Sequence, residues 1–311
     1  MATSTNAKLG LPYQGSKRRI AAKIVDLFPT APVLVDVFAG GCAVTHAALL
    51  SGKFGNVIAN DLSDAPQLFY YCAKYGVPEK PRWVSREEFF ALRDRNPLIR
   101  YVYSFSNAGC QYLYGREIEL LKHATHRAVV DGDCSLLPEG IRASIREALS
   151  GVLGTHERYL CYKRITRELS RRFELKYLER LERLQHLERL ERLQHLEHLE
   201  RLERLQHLEQ LQRSQNLERL ATSRRDYRDL YLPDGAVVYC DPPYASTTGY
   251  GGGFDHQAFY AWCRAVGKRY PLFVSEYWMP SDFRCVAEYE VHALAGATTN
   301  AQTRVEKIFT L

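Results

Sequence analysis

Two hydrophobic patterns share this chain, and a third period separates its halves. Short β-branched apolar runs recur at Val33–Phe38, Asn56–Asp61, Ala236–Cys240 and Pro271–Glu276, and runs of that length bounded by turn residues predict buried strands. Amphipathic or small-residue stretches of helical character lie among them: Ile20–Phe28, Ala43–Leu50, a helix opening near Ser63 to Ala65, and Asp255–Val266. Two last β-rich runs, Arg284 to Ala293 and Arg304 to Thr310, predict an antiparallel hairpin that finishes the sheet. Strand, glycine turn and helix in this order predict an α/β fold with a Rossmann-like sheet.

From about Pro78 to Ala148 that pattern lapses. Trp83, Phe89, Phe90, Tyr101, Tyr103, Phe105, Tyr112 and Tyr114 are interleaved there with Arg86, Arg93, Arg95, Arg100, Arg116, Lys122 and Arg127. Aromatics among arginines suit a surface that follows phosphates and stacks on bases, although most of the rings are expected in a core. The stretch Ser104 to Gly115 reads as a loop able to line a pocket. Leucine then recurs at every third residue from Leu175 to Leu220, with Glu, Arg, Gln and His between and Ser214 as the single interruption. Three residues turn an α-helix by about 300°, so the leucine stripe winds around the helix and marks no single apolar face. A 3₁₀-helix or a compact solenoid would also fit the period, and a helical protrusion is the preferred reading. His186, His195, His198 and His207 repeat with the tract and are expected as solvated polar positions rather than metal ligands.

Composition narrows the class without deciding it. No run is long and apolar enough to span a bilayer, and the N-terminus lacks the apolar region of a signal peptide, so a cytoplasmic protein with no membrane partner is expected. The 8 cysteines are scattered with no C-x-x-C pair, which points to reduced thiols and against a zinc site. A net charge of +6 is compatible with a polyanionic partner.

The candidate chemistry gathers where strands end. Asp241-Pro242-Pro243-Tyr244 stops the Ala236–Cys240 run abruptly, placing a carboxylate and a proline carbonyl, both hydrogen-bond acceptors, beside an aromatic ring. Such a pair could grip the two hydrogens of a planar amine while the ring stacks on its heterocycle; the bland alternative is a turn that merely ends a strand. Ala39-Gly40-Gly41-Cys42 lets backbone approach a ligand, but it is not a full dinucleotide fingerprint. Asp61, at the end of the second strand, could accept from ribose hydroxyls or serve as a helix cap. The Tyr13-Gln14-Gly15-Ser16-Lys17 loop could set a cation against a carboxylate or be a plain basic turn. Asp226-Tyr227 could meet an adenine amino group and ring, and Ala245 to Phe254 could close over a substrate.

In this order, Tyr13-Gln14-Gly15-Ser16-Lys17, Asp36-Val37-Phe38-Ala39-Gly40-Gly41, Asn60-Asp61, Asp226-Tyr227 and Asp241-Pro242-Pro243-Tyr244 resemble the DNA adenine methylase (Dam) family. The resemblance implies an S-adenosylmethionine-dependent enzyme that methylates the amino nitrogen of a flipped-out adenine in double-stranded DNA. It places Tyr13, Lys17, Asp36, Phe38, Gly40, Asp61, Asp226 and Tyr227 around the cofactor, and Asp241, Pro242 and Tyr244 on the adenine. The implied domains are a Rossmann-like methyltransferase fold over 1–77 and 221–311, an inserted, mainly helical target-recognition module over 78–174, and the triplet protrusion over 175–220. A cytosine-amino or RNA methyltransferase with the same site, and a non-catalytic binding protein, remain as alternatives, and the oligomeric state is open. The triplet tract and the Asn107 to Glu117 loop depart from better-known members, so sequence preference does not transfer.

Overall fold

The computed structural model describes residues 9–77, 81–176, 196–208, 211, 216–244, 253–292 and 303–311. The chain divides into two compact units, Met1–Gly76 with Arg204–Leu311, and Val77–Glu203.

The first unit holds a seven-stranded sheet in the order β3-β2-β1-β4-β5-β7-β6. Its strands are β1 (Ala31–Asp36), β2 (Phe54–Asn60), β3 (Leu220–Ser223), β4 (Ala236–Cys240), β5 (Leu272–Glu276), β6 (Arg284–His292) and β7 (Thr303–Thr310). The first five are parallel, and β7 runs antiparallel between β5 and β6. Every residue of β4 is buried, which explains why it reads as one unbroken apolar run: a central parallel strand has no solvent face on which to alternate. The connecting helices include α1 (Ala21–Leu27), α2 (Ala43–Ser51) and α3 (Ala65–Tyr75).

Strand β3 is absent from the sequence reading. Its Leu220 belongs to the triplet register, and Ala221, Thr222 and Ser223 offer no apolar run. Pairing with Val57 to Asn60 of β2, not local preference, makes it a strand.

The second unit is helical: α4 (Arg86–Leu92), α5 (Pro97–Val102), α6 (Arg116–His126), α7 (Glu139–Leu149), α8 (Thr155–Lys176) and the start of α9 (Glu197–Gln206). Ser85 and Asn96 cap α4 and α5 through side-chain oxygens. Its core gathers Val129, Ile141, Ile145 and Tyr162 with Leu196 and Leu199 of the triplet tract. The expected helical protrusion is helical over Glu197–Gln206, but it is corrected as a protrusion for residues 196–208, where Leu196, Leu199, Leu202, Leu205 and Leu208 are all buried. His198 is corrected too. It has no exposed surface, accepting or donating at 2.7 Å with the Tyr114 hydroxyl and at 2.9 Å with Nδ1 of His126. Residues 177–195 of the tract, with His186 and His195, lie outside the described residues. In unit one a helix over His256–Gly267, α10, covers the sheet with Phe259 and Cys263.

Candidate active site

Three carboxylates reach one edge of the sheet because three neighbouring parallel strands end there. Asp36 closes β1, Asp61 follows β2 and Asp241 follows β4. Strand β1 lies between the other two, in register with Ala59 opposite Asp36 on one side and Tyr239 on the other. Strand order reverses between β1 and β4, the switch point outside which open α/β sheets hold ligands.

Asp36 is held from α2: its Oδ2 accepts from the Thr45 amide at 3.2 Å and the Thr45 hydroxyl at 2.7 Å. Its Oδ1 is buried with no partner. Burial drives the Asp36 pKa up to about 7 against the Thr45 bonds, and the charges of Asp241 and Asp61 add to the rise. A buried carboxylate oxygen left open in this way suits a cationic group.

Asp61 fastens the glycine turn. Its Oδ2 accepts from the Gly40 amide at 2.8 Å and its Oδ1 from the Ser63 amide at 2.8 Å. Tyr13 lies directly on that turn, and a Cβ at Gly41 would come within 2.5 Å of the Tyr13 Cβ. The N-terminal segment is stitched down beside it, with Leu11 donating to the Gly41 carbonyl at 2.7 Å and Gly10 to Nδ1 of His46 at 3.1 Å. Gly10 has φ +68, and a Cβ there would sit 2.4 Å from the Gly41 oxygen.

This stitching carries Lys17 to Asp241. Lys17 Nζ lies 2.8 Å from Asp241 Oδ1 and 4.7 Å from the centre of the Tyr244 ring. Burial opposes the charge on Lys17, but the carboxylates of Asp241 and Glu306 outweigh it and raise its pKa. Burial likewise raises the pKa of Asp241, with Lys17 pulling it back. Pro242 is buried behind the carboxylate. The Tyr244 hydroxyl donates to Glu306 Oε2 at 2.6 Å, and its ring meets Tyr277 edge-on at 4.7 Å.

Phe38 is half-buried, tilted on Tyr227 at 5.5 Å and edge-on to Phe254 at 5.8 Å. Tyr227 itself is a core residue, 7 % exposed and packed against Phe259 and Trp262. Asp226 caps a short 3₁₀ turn, accepting from the Arg228 amide at 2.9 Å and from its guanidinium at 2.8 and 2.9 Å. An amino group arriving at Asp226 would compete with Arg228. Sequence reasoning missed Thr45, Tyr277 and Glu306. The last sits in Thr303–Thr310 between Val305 and Lys307, where charged residues are interspersed without a clean period and nothing marks one of them out. Residues 245–252 of the glycine-rich loop lie outside the described residues.

Within the second unit, the segment from Val102 to Tyr114 folds back through a bridge between Ser104 and Tyr112. Arg201 of α9 donates to the carbonyls of Val102 at 2.6 Å and Ser104 at 2.7 Å, and His198 holds Tyr114. The tip carries Phe105, 59 % exposed, before Ser106 and Asn107 with φ of 50 and 60. Asn107 is fixed there by donating to the Tyr101 carbonyl at 2.8 Å. Among the described residues no His, Cys, Asp and Glu cluster could hold a metal ion, and no helix is long and apolar enough to cross a membrane.

No curated protein matches the chain. Residues 13–110, which include Tyr13, Lys17, Asp36, Phe38, Gly40 and Asp61, match the family model described as D12 class N6 adenine-specific DNA methyltransferase. Over those residues the chain is similar to that family, a likeness that supports a Dam-like adenine-specific DNA methyltransferase.

Proposed function

We propose that the chain transfers the methyl group of S-adenosylmethionine to N6 of an adenine flipped out of double-stranded DNA, at a defined sequence. The observation that carries this reading is the pairing of two carboxylates on adjacent strands: Asp36, with a buried and unpartnered oxygen, and Asp241, held by Lys17. S-adenosylmethionine supplies a methyl group activated on a sulfonium sulfur.

On the cofactor side, Asp36 offers its open oxygen to positive charge, Asp61 its remaining lone pairs to ribose hydroxyls, and Phe38 a half-buried face to a ring. Tyr13 and Gly40 border the same turn, and Lys17 links it to Asp241. Asp226 and Tyr227 are assigned to the adenosine end. On the acceptor side, the Asp241 carboxylate and the Pro242 carbonyl accept the two amino hydrogens of adenine, which turns the N6 lone pair out of conjugation. As the N6–methyl bond forms and the methyl–sulfur bond breaks, leaving a neutral thioether, N6 gains positive charge that Asp241 stabilises, and the surplus N6 proton then passes to water. Flipping costs a few kcal/mol, offset by stacking on Tyr244 and by phosphate contacts. The arginines and aromatics of residues 78–174 are assigned to target recognition.

Tritiated methyl transfer onto double-stranded DNA, single-stranded DNA and RNA, followed by nucleoside analysis, tests the reading. Label in N6-methyladenine of double-stranded DNA is the expected result. Label in cytosine or RNA alone, or none at all, contradicts it.

A further inference from the structure

The antiparallel strand β7 delivers a second carboxylate to Asp241. Its register places Lys307 opposite Glu276, the last residue of β5, so Glu306 falls just past the carboxyl end of the parallel strands. There its Oε2 accepts the Tyr244 hydroxyl at 2.6 Å and lies 3.8 Å from Lys17 Nζ. Its side chain is 13 % exposed, against 8 % for Lys17 and 18 % for Asp241. Tyr244 is neutral, since burial raises its pKa.

We infer that Glu306 is a positioning residue of the methyl-transfer site, fixing the Tyr244 ring through its hydroxyl and sharing Lys17 with Asp241. The inference rests on the proposed roles of Asp241 and Tyr244. Two consequences follow from the geometry. A Tyr244 ring held at its hydroxyl by Glu306 and at its edge by Tyr277 presents a fixed plane to a flipped base, which lowers the entropy lost on stacking. The charge balance also changes. With one ammonium between two carboxylates, the cluster carries one net negative charge, whereas Lys17 with Asp241 alone would be neutral. A net negative cluster is what an amine turning cationic needs. Glu306 also raises the Asp241 pKa.

Glu306→Gln keeps an acceptor for Tyr244 and removes the charge, so the two contributions separate. The expected result is a fall in kcat of about tenfold to a hundredfold, with S-adenosylmethionine affinity unchanged by calorimetry. The acid limb of the kcat–pH profile should also move to lower pH, because a negative neighbour of Asp241 is gone. A merely structural role would not move that limb. Tyr244→Phe, which leaves Glu306 in place, should cost less than additively when combined with Glu306→Gln. If Glu306→Gln fails to fold, Glu306→Ala is read instead, with the same fall in kcat and downward move of the acid limb expected and an unmoved limb overturning the inference. Wild-type kcat and an unmoved limb in Glu306→Gln would overturn this inference alone. An inactive wild-type chain would overturn the proposed function first, and this inference with it.

Discussion

Nζ of Lys17 lies 2.8 Å from Oδ1 of Asp241, which ties the loop before α1 to the end of β4. Without that cation, burial acts on Asp241 unopposed. Lys17→Met should therefore raise the Asp241 pKa further, because the opposite charge that pulls it down is gone. In the proposed mechanism transfer needs the ionised carboxylate, so the acid limb of the kcat–pH profile should move upward. This is the opposite of the shift expected for Glu306→Gln, and a downward or absent shift would remove Lys17 from the site.

Asp36 gives a second pH dependence. Its pKa, about 7 in the ligand-free chain, lies above that of an unfolded chain. The folded state therefore holds a proton that the unfolded state has lost, and stability falls as pH rises from about 4 to about 7. A bound cation reverses the preference and expels the proton. Cofactor affinity should increase up to about pH 7 and level off above it, with a proton released that calorimetry in two buffers can count. Asp36→Asn should abolish the pH dependence, weaken the cofactor, and raise the ligand-free melting temperature above pH 7. Unchanged affinity in Asp36→Asn would contradict the assignment.

His46 works in acid. It accepts from the Gly10 amide and is buried, and burial lowers its pKa to about 4. Above pH 6.5 it is neutral in both states and contributes nothing to the pH dependence. As pH falls from 6.5 towards 4, the unfolded chain takes up a proton that the folded chain refuses, and stability drops by up to roughly 3 kcal/mol. Urea titrations at pH 7 and pH 4.5 should lose most of this difference in His46→Gln.

Legibility in the sequence followed burial. The fully buried β4 and the buried end of β1 could be read because a strand without a solvent face is apolar throughout, so the acid that ends it stands out. Glu306 and β3 could not, since one is a charged residue among others in a mixed strand and the other borrows its strand character from β2. The pairing of Asp226 with Arg228, and the retreat of Tyr227 into the core, depend on side-chain directions that no spacing encodes. His198 shows the limit of repeat reasoning. Its neighbours in the triplet pattern look equivalent, yet Trp83, Tyr103, Tyr114 and His126 surround this one.

Arg201 makes that environment testable. Arg201→Ala would leave the carbonyls of Val102 and Ser104 without their donor in a buried place, at about 1–3 kcal/mol for each. Thermal unfolding should report a loss of that order, and DNA affinity should weaken because the Phe105 tip loses its brace. A melting curve unchanged from wild type would show that the tract does not support the segment.

Asp241→Ala, assayed for methyl transfer and for cofactor binding in the same preparation, tests the central claim most directly. The account predicts loss of N6-methyladenine formation by at least about a hundredfold, with S-adenosylmethionine still bound near wild-type affinity. A variant that continues to methylate adenine would contradict it.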